Sequence, residues 1–225
     1  MTSFILKIIA CISMTIDHFG YAFYPEQNVF IYLGRLAFPI FAFQIVEGYI
    51  HTKNLKKYIL RLAILAITSQ FPFYLVFGGN ELYLNTIYTL LLGLIGLILY
   101  DKNKIIGIIY VILTTIIFSY IHIDYGRIGI ILILFIYIFR NKKYLLVTSY
   151  IILFAYLYGT YILNNLDYNN LTGLLKYYLP YYISTLFALP LILTYNHQQG
   201  PKLKIFYYIF YPLHLLVIAL IKIMI

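Results

Sequence analysis

The sequence has few charged residues and almost no cysteine, and each shortage excludes a class of protein. Only 10% of the residues are charged, against about 25% in ordinary soluble domains, whereas 63% are hydrophobic. The single cysteine, Cys11, excludes an internal disulfide framework and a cysteine-rich metal site. Tryptophan is absent, but 27 tyrosines and 17 phenylalanines can supply interfacial belts and helix packing. This composition indicates a protein that lies in a lipid bilayer.

The short motifs of three enzyme classes are also missing. The chain has no H-E-x-x-H for an intramembrane metalloprotease, no G-x-S-x-G nucleophile elbow and no Walker A loop. A metal site would need histidines at one depth, but His51 and His122 fall at opposite ends of their predicted helices. We therefore expect no bound metal.

Apolar runs between polar breaks predict about nine membrane-spanning helices. A span needs roughly 20 apolar residues, and fewer when it is buried inside a bundle. The runs cover residues 4–24, 29–50, 58–77, 86–100, 105–121, 127–139, 144–163, 181–195 and 205–223. We therefore predict an all-α polytopic integral membrane protein with one transmembrane domain over residues 1–225. The long connection 164–180 is expected to form a lid or re-entrant element, with Pro180 beginning the next span.

Basic residues collect in alternate breaks of this pattern. The segments HTKNLKKY, DKNK, RNKK and NHQQGPKLK are basic, whereas YPEQN, GGNELYLN, HIDYG and NNLDYNN are not. The positive-inside rule then places the N-terminus in the cytoplasm and the C-terminus outside, in a multi-pass protein of the cell membrane. The net charge of +9 is thus a topology signal, and the expected partner is the lipid bilayer rather than nucleic acid.

The stretch CISMTIDHFGYAFYP, residues 11–25, places Asp17 and His18 inside a predicted span. An ionisable side chain near the bilayer centre costs roughly 3 kcal/mol, so such residues usually face a partner or a wet cavity. Arg35 enters the second span from the same side, and His214 lies mid-span two residues after Pro212. Adjacent helical residues point about 100° apart, so Asp17 must face something other than His18, with Arg35 or His214 as candidates. Tyr21, one turn on, can reach either residue of the pair.

A second set of polar residues belongs to the helix ends. Gln44, Glu47 and His51 follow helical spacing and form one polar stripe, which a kink at Pro39 could bring into one cavity with Arg35. Two further groups flank the spans: Lys53, Lys56 and Lys57 in the basic segment after His51, and Asp124 and Arg127 at the outer mouth. Each of these residues also has an ordinary interpretation, as an ion pair, an interhelical hydrogen bond or a contact with lipid head groups.

Three stretches resemble the TraX family of polytopic membrane proteins. They are IACISMTIDHFG at 9–20, the run at 34–75 beginning GRLAFPIFAFQIVEGYIH, and FYPLHLL at 210–216. The resemblance covers roughly the first 75 and the last 15 residues, and the middle is similar only in hydropathy. It implies transfer of an acetyl group from acetyl-CoA to an amine acceptor, such as a peptide N-terminus.

The polar residues suit the chemistry that this resemblance implies. A base must remove a proton as the amine attacks, and a donor must stabilise the developing oxyanion. We expect His18 or His214 to be the base, with Asp17, Arg35 and Tyr21 beside it. The three lysines after His51 are expected to bind the acetyl-CoA phosphates, and Asp124 and Arg127 the acceptor. Direct transfer and an acyl-histidine intermediate both stay open. The alternative is a proton- or ion-coupled transporter that uses Asp17, His18 and Glu47.

Overall fold

The computed structural model describes residues 1–78, 83–118, 120–165, 171–201 and 203–224, without the side chains of Leu171 and Lys204. The helices are α1 (Ser3–Phe23), α2 (Asn28–Gly34), α3 (Ala37–His51), α4 (Leu55–Phe77), α5 (Thr86–Lys102), α6 (Lys104–Ile117), α7 (Gly126–Phe139), α8 (Lys143–Asn164), α9 (Leu171–Leu186), α10 (Ala188–Leu193) and α11 (Lys204–Met224). Two short strands, β1 (Tyr83–Leu84) and β2 (His122–Ile123), complete the described elements.

Asparagine side chains in the polar breaks start three of these helices. Asn54, Asn85 and Asn103 each accept a hydrogen bond from an amide in the first turn, of α4, α5 and α6 respectively. Asparagine is favoured there because its short side chain satisfies a backbone N–H that has no partner within the helix. The breaks that separate the predicted spans therefore also fix where these helices begin.

The second predicted span is two helices rather than one kinked helix. Between the end of α2 at Gly34 and the start of α3 at Ala37, Arg35 and Leu36 form a turn. Pro39 lies in the first turn of α3, where its missing N–H removes no helical hydrogen bond, but its ring excludes a helical carbonyl four residues earlier. The interruption therefore falls at Arg35. The kink was predicted four residues later, at Pro39.

In the predicted span 181–195, Pro190 likewise lies in the first turn of a helix and follows a break. It is the third residue of α10, and the turn before that helix falls at Phe187. Pro180 was predicted to begin this span, but it lies inside α9. The connection 164–180, predicted as a lid, is helical from Leu171 onward, and its residues 166–170 lie outside the described part of the chain.

Five segments are long and apolar enough to cross a membrane, judged by length and composition. They are Ser3–Phe23, Asn28–His51, Leu55–Phe77, Lys143–Asn164 and Ile205–Met224. The apolar helices α6 and α7 have only 14 residues each. The chain is thus a helical membrane protein, while the count of nine spans and the sidedness of its ends stay predictions.

The basic breaks lie at one end of the bundle, called the basic end below, where α3 and α5 end and α4 begins. Tyr49 and Tyr137 donate hydrogen bonds to the Asp101 carboxylate there, at 2.8 and 2.6 Å, and so join α3, α7 and α5. The amide of Ser3 donates to the carbonyl of Gln198, so α1 begins at the same end.

A pair of two-residue strands is the non-helical addition to an otherwise all-α described fold, as predicted. β1 and β2 are parallel, with Tyr83 opposite His122, and the amide of Asp124 donates to the Leu84 carbonyl at 3.0 Å. The Asp124 carbonyl in turn accepts a hydrogen bond from the Thr89 hydroxyl at 2.6 Å. Irregular backbone among membrane helices is tolerated where protein satisfies its polar groups, as these bonds do. The strands therefore close the end of the bundle at which α5 begins.

Candidate functional site

Two histidines from distant parts of the chain meet inside the bundle. Nδ1 of His18 on α1 lies 2.8 Å from Nε2 of His214 on α11, and the two rings are nearly parallel, with 13° between their planes. Both side chains are buried, at 7% and 8% exposure. The structure thus joins the two residues between which the sequence left the choice of base open.

The other ring nitrogen of His214, Nδ1, determines which nitrogens of the two histidines carry a hydrogen. Nδ1 of His214 lies 2.9 Å from the backbone carbonyl oxygen of Phe210, which can only accept, so this nitrogen carries the hydrogen. With one proton on each ring, Nε2 of His214 is then an acceptor, and Nδ1 of His18 must be its donor. The remaining lone pair of the relay therefore lies on Nε2 of His18.

Aromatic rings hold both imidazoles in place. The His18 ring meets Phe77 of α4 edge-on at 5.0 Å between centroids. The His214 ring stacks on Phe210 at 5.2 Å and meets Tyr211 at 5.5 Å and 66°. Apolar walls of this kind keep water from competing for the hydrogen bond between the histidines.

A cavity of about 310 Å³ leads from the basic end towards this pair. His51 and Tyr195 line its mouth, and Thr86 and Tyr211 line its deep part. Met14 and Tyr211 precede His18 and His214 by about one helical turn. Both histidines therefore lie about one turn beyond residues that line the cavity, and one of these, Met14 on α1, has a flexible side chain.

The polar stripe of α3 forms one wall of the cavity. Gln44, Glu47 and His51 all line it. Gln44 accepts a hydrogen bond from the Ser3 hydroxyl at 2.7 Å, which joins α3 to α1. Nδ1 of His51 lies 3.7 Å from a Glu47 oxygen, with the His51 side chain 64% exposed and that of Glu47 12% exposed. Burial and the nearby Glu47 carboxylate raise the pKa of Tyr195.

The cations at the cavity differ from those that the sequence predicted. Lys53, Lys56 and Lys57 are exposed and do not line the cavity. Lys7 and Arg61 do line it. The Lys7 ammonium lies 5.5 Å from the centre of one tyrosine ring and the Arg61 guanidinium 5.9 Å from another, those of Tyr207 and Tyr208 respectively. A sequence signal for Lys7 existed, since Lys7, Cys11, Met14 and His18 recur at intervals of four, three and four on one face of α1.

Four buried polar atoms of the cavity lining have no hydrogen-bond partner among the described residues. They are Oε2 of Glu47, Oγ1 of Thr86, and Oη of Tyr207 and Tyr211. Leaving a buried donor or acceptor unpaired costs roughly 1–3 kcal/mol, so a group of them in one cavity needs an explanation. A ligand with several amide or hydroxyl groups would satisfy them.

Asp17 and Arg35 lie in a separate polar cluster, at the opposite end from the basic breaks. Arg35 donates from Nη1 to the Tyr125 hydroxyl at 3.1 Å, and its guanidinium lies 5.4 Å from the centre of the Tyr181 ring. No Arg35 nitrogen lies within 4.0 Å of an Asp17 oxygen. Arg35, one of the two candidate partners of Asp17, therefore forms no direct ion pair with it, because the turn at Arg35 directs the guanidinium to Tyr125.

Asp124 belongs to the same cluster. Its carboxylate accepts a hydrogen bond from the Tyr83 hydroxyl at 3.3 Å. Burial and the charge of Asp17 together raise the pKa of Asp124 to about 6, against the opposing effect of the Arg35 charge. The next residue, Tyr125, has a left-handed backbone, with φ of 57°, which a bulky side chain rarely adopts, and its ring stacks on Phe38 at 4.0 Å. That conformation places the Tyr125 hydroxyl at Arg35.

Two other predicted residues lie outside both groups. Tyr21 is 48% exposed and packs on Phe77 at 4.7 Å, with no hydrogen bond to Asp17 or His18. Arg127 is exposed and forms no ion pair with Asp124 within 4.0 Å. Within the described ranges, no group of three histidine, cysteine or acidic side chains lies close enough to hold a metal ion.

Known proteins are similar in sequence to part of this chain. The chain is 28% identical over 140 residues to the probable fimbrial assembly protein FimC, serogroup H1, of Dichelobacter nodosus, covering 56% of the chain and 57% of that protein. It is 30% identical over 150 residues to the uncharacterized protein RP591 of Rickettsia prowazekii (strain Madrid E), covering 62% and 56%. The chain thus spans a little over half the length of these relatives. No solved structure matches it.

The family comparison covers nearly all of the described helices. The sequence model of the TraX protein matches residues 3–222, from the first residue of α1 to near the end of α11. Both histidines of the relay and the whole cavity lining fall within that match. The chain therefore belongs to the TraX family.

Proposed function

We propose that this protein is a membrane-embedded acetyltransferase of the cell membrane, which moves an acetyl group from acetyl-CoA to an amine acceptor. The observation that carries the proposal is the relay from Phe210 through His214 to His18, which leaves a lone pair on Nε2 of His18, a residue one helical turn from the cavity-lining Met14. A nitrogen so placed suits a general base, because its tautomer is fixed by the bonds behind it.

The cavity suits the acetyl-CoA molecule. Lys7 and Arg61 would hold its phosphates, since both line the cavity and carry positive charge. The amides and hydroxyl of the pantetheine arm would pair with the unpartnered atoms of Glu47 and Tyr207. At about 1.5 Å per residue, His18 lies roughly 17 Å along α1 from Lys7, a distance that such an arm must cover in an extended form. Movement of Met14 would admit the thioester to His18.

The reaction then needs one proton carried by His18. The amine nitrogen attacks the thioester carbonyl carbon, and its proton passes to Nε2 of His18 as the new C–N bond forms. The C–S bond breaks when the tetrahedral intermediate collapses, and the proton leaves Nε2 for the CoA sulfur. His214 and the Phe210 carbonyl stabilise the transient imidazolium through their hydrogen bonds.

The acceptor is proposed to be the amine of a fimbrial or pilin subunit. The relative from Dichelobacter nodosus is described as a probable fimbrial assembly protein, which supports an acceptor of that class. Such a substrate would approach along the membrane or from the end opposite the cavity mouth. The Asp17 and Asp124 carboxylates at that end would attract its ammonium group.

The test uses the purified full chain in detergent. It is incubated with acetyl-CoA and a peptide that has a free N-terminal amine, and release of CoA is followed over time. The control peptide has the same sequence with a blocked N-terminus and no lysine. CoA release that requires the free amine is expected. No release with any amine, together with an ion flux in liposomes, would instead support the transporter.

A further inference from the structure

The deep part of the cavity contains two hydroxyls that the base does not use. Tyr211 is 4% exposed and Thr86 is 8% exposed, and the oxygen of each lacks a hydrogen-bond partner among the described residues. Both residues line the cavity, and the Tyr211 ring meets the His214 ring at 5.5 Å. A group bound there would therefore lie next to the histidine pair.

Thr86 is the first residue of α5, so the positive end of a 17-residue helix faces the same place. Its backbone N–H faces the Tyr211 hydroxyl oxygen, although the two do not form a hydrogen bond of standard geometry. A hydroxyl that receives positive potential on its oxygen becomes a better donor through its own hydrogen. The Tyr211 O–H is thus polarised towards an acceptor that carries negative charge.

The start of α5 is held rigidly by buried amides. Asn85, with no exposed surface, donates to the Ala66 carbonyl at 2.9 Å and to the Gln70 side chain at 2.8 Å. Gln70 donates in turn to the Tyr83 carbonyl at 2.7 Å, which joins α4 to β1. Donors fixed in this way do not need to reorganise when charge develops beside them.

A competing acceptor for Tyr211 lies nearby in the protein itself. The Asp124 carboxylate lies within electrostatic range of that hydroxyl but beyond hydrogen-bond distance. Asp124 already accepts from Tyr83. The hydroxyls of Tyr211 and Thr86 therefore remain available to a ligand.

We propose that Tyr211 and Thr86 donate hydrogen bonds to the acyl carbonyl oxygen of the donor thioester and stabilise the oxyanion of the tetrahedral intermediate. This inference rests on the proposed function and assigns its electrophilic residues. The carbonyl oxygen accepts both bonds while the amine attacks the carbon, and the bonds strengthen as the negative charge forms on that oxygen. No covalent bond to either residue forms or breaks.

The kinetic test compares Tyr211→Phe and Thr86→Val, which each remove one hydroxyl and keep the shape of the side chain. One oxyanion donor is worth about 100-fold or more in kcat, so each variant should lose activity on that scale with the KM for acetyl-CoA within about twofold. Tyr207→Phe is the matched variant, since it removes an unpartnered hydroxyl one turn nearer the mouth. It should raise KM more than it lowers kcat.

A spectroscopic test separates this inference from the proposed function. Infrared difference spectra are recorded with bound acetyl-CoA, with and without ¹³C in the carbonyl group. The wild-type protein should shift the carbonyl stretch to lower frequency, and Tyr211→Phe should reverse part of that shift. Amine-dependent turnover with an unchanged carbonyl band and a normal kcat in both variants would overturn the inference alone. No binding of acetyl-CoA would overturn the proposed function and this assignment with it.

Discussion

Replacing His214 tests whether the proton order of the histidine pair controls the reaction. His214→Leu removes the acceptor of the 2.8 Å bond and leaves Nδ1–H of His18 buried without a partner. An unpaired buried donor costs roughly 1–3 kcal/mol, so the His18 proton should move to Nε2 in much of the population. At a factor of ten for each 1.36 kcal/mol, kcat should fall between about 5-fold and about 150-fold.

His214→Gln is the matched variant, because its amide oxygen can still accept a hydrogen bond from Nδ1 of His18. It should keep more activity than His214→Leu, because Nδ1–H of His18 keeps an acceptor and Nε2 therefore keeps its lone pair. The assay is amine-dependent release of CoA, measured beside a melting curve in detergent. His122→Gln, at an exposed position on β2, controls for the loss of any histidine. Equal activity of the leucine and glutamine variants would refute the relay.

Gly34→Ala should lower the melting temperature, because an added Cβ would overlap the Asp17 carboxylate. Overpacking of this kind costs roughly 1–3 kcal/mol of stability. Gly159→Ala, with no atom within 4 Å of the new Cβ, is the control in the same melting assay. The raised pKa of Asp124, about 6 against an ordinary 3.8, means that the folded state favours its protonated form, so stability should fall as pH rises through that range. Asp124→Asn should flatten this slope in melting curves recorded from pH 4 to 7, and parallel curves for the two proteins would contradict the assignment. Arg61→Gln should raise the KM for acetyl-CoA more than replacement of Lys53, Lys56 and Lys57 together, because Arg61 lines the cavity and these three lysines do not. The reverse order in steady-state kinetics would indicate that the lysine segment binds the phosphates.

The sequence predicted the helices well because apolar runs and polar breaks determine both where helices begin and which surfaces are buried. It also named His18 and His214 as the two candidate bases, and the structure brings these residues together. The position of the break in the second span was missed by about four residues, since a proline early in a helix acts on the carbonyl before it. That short distance decides whether Arg35 faces Asp17 or Tyr125.

Other features depend on contacts that no local pattern contains. Lys7 and Arg61 lie within apolar runs of the sequence, and the packing of α1, α4 and α11 shows that they line a cavity. Similarly, no local pattern in the sequence shows that the Asn85 and Gln70 amides hold the start of α5 beside Tyr211. Two-residue strands carry no periodicity at all, so β1 and β2 could not be predicted.

The bond between His18 and His214 joins residues 196 positions apart, which has a consequence for synthesis of the protein. While the chain is being inserted into the membrane, α1 enters early, but its histidine has no partner until α11 has been made and has packed against it. Ribosomes add residues at about 5–20 per second, so the interval is on the order of ten seconds or more. Until then Nδ1 of His18 has no fixed acceptor, and under the proposed function a partly made chain would have no ordered base with which to consume acetyl-CoA.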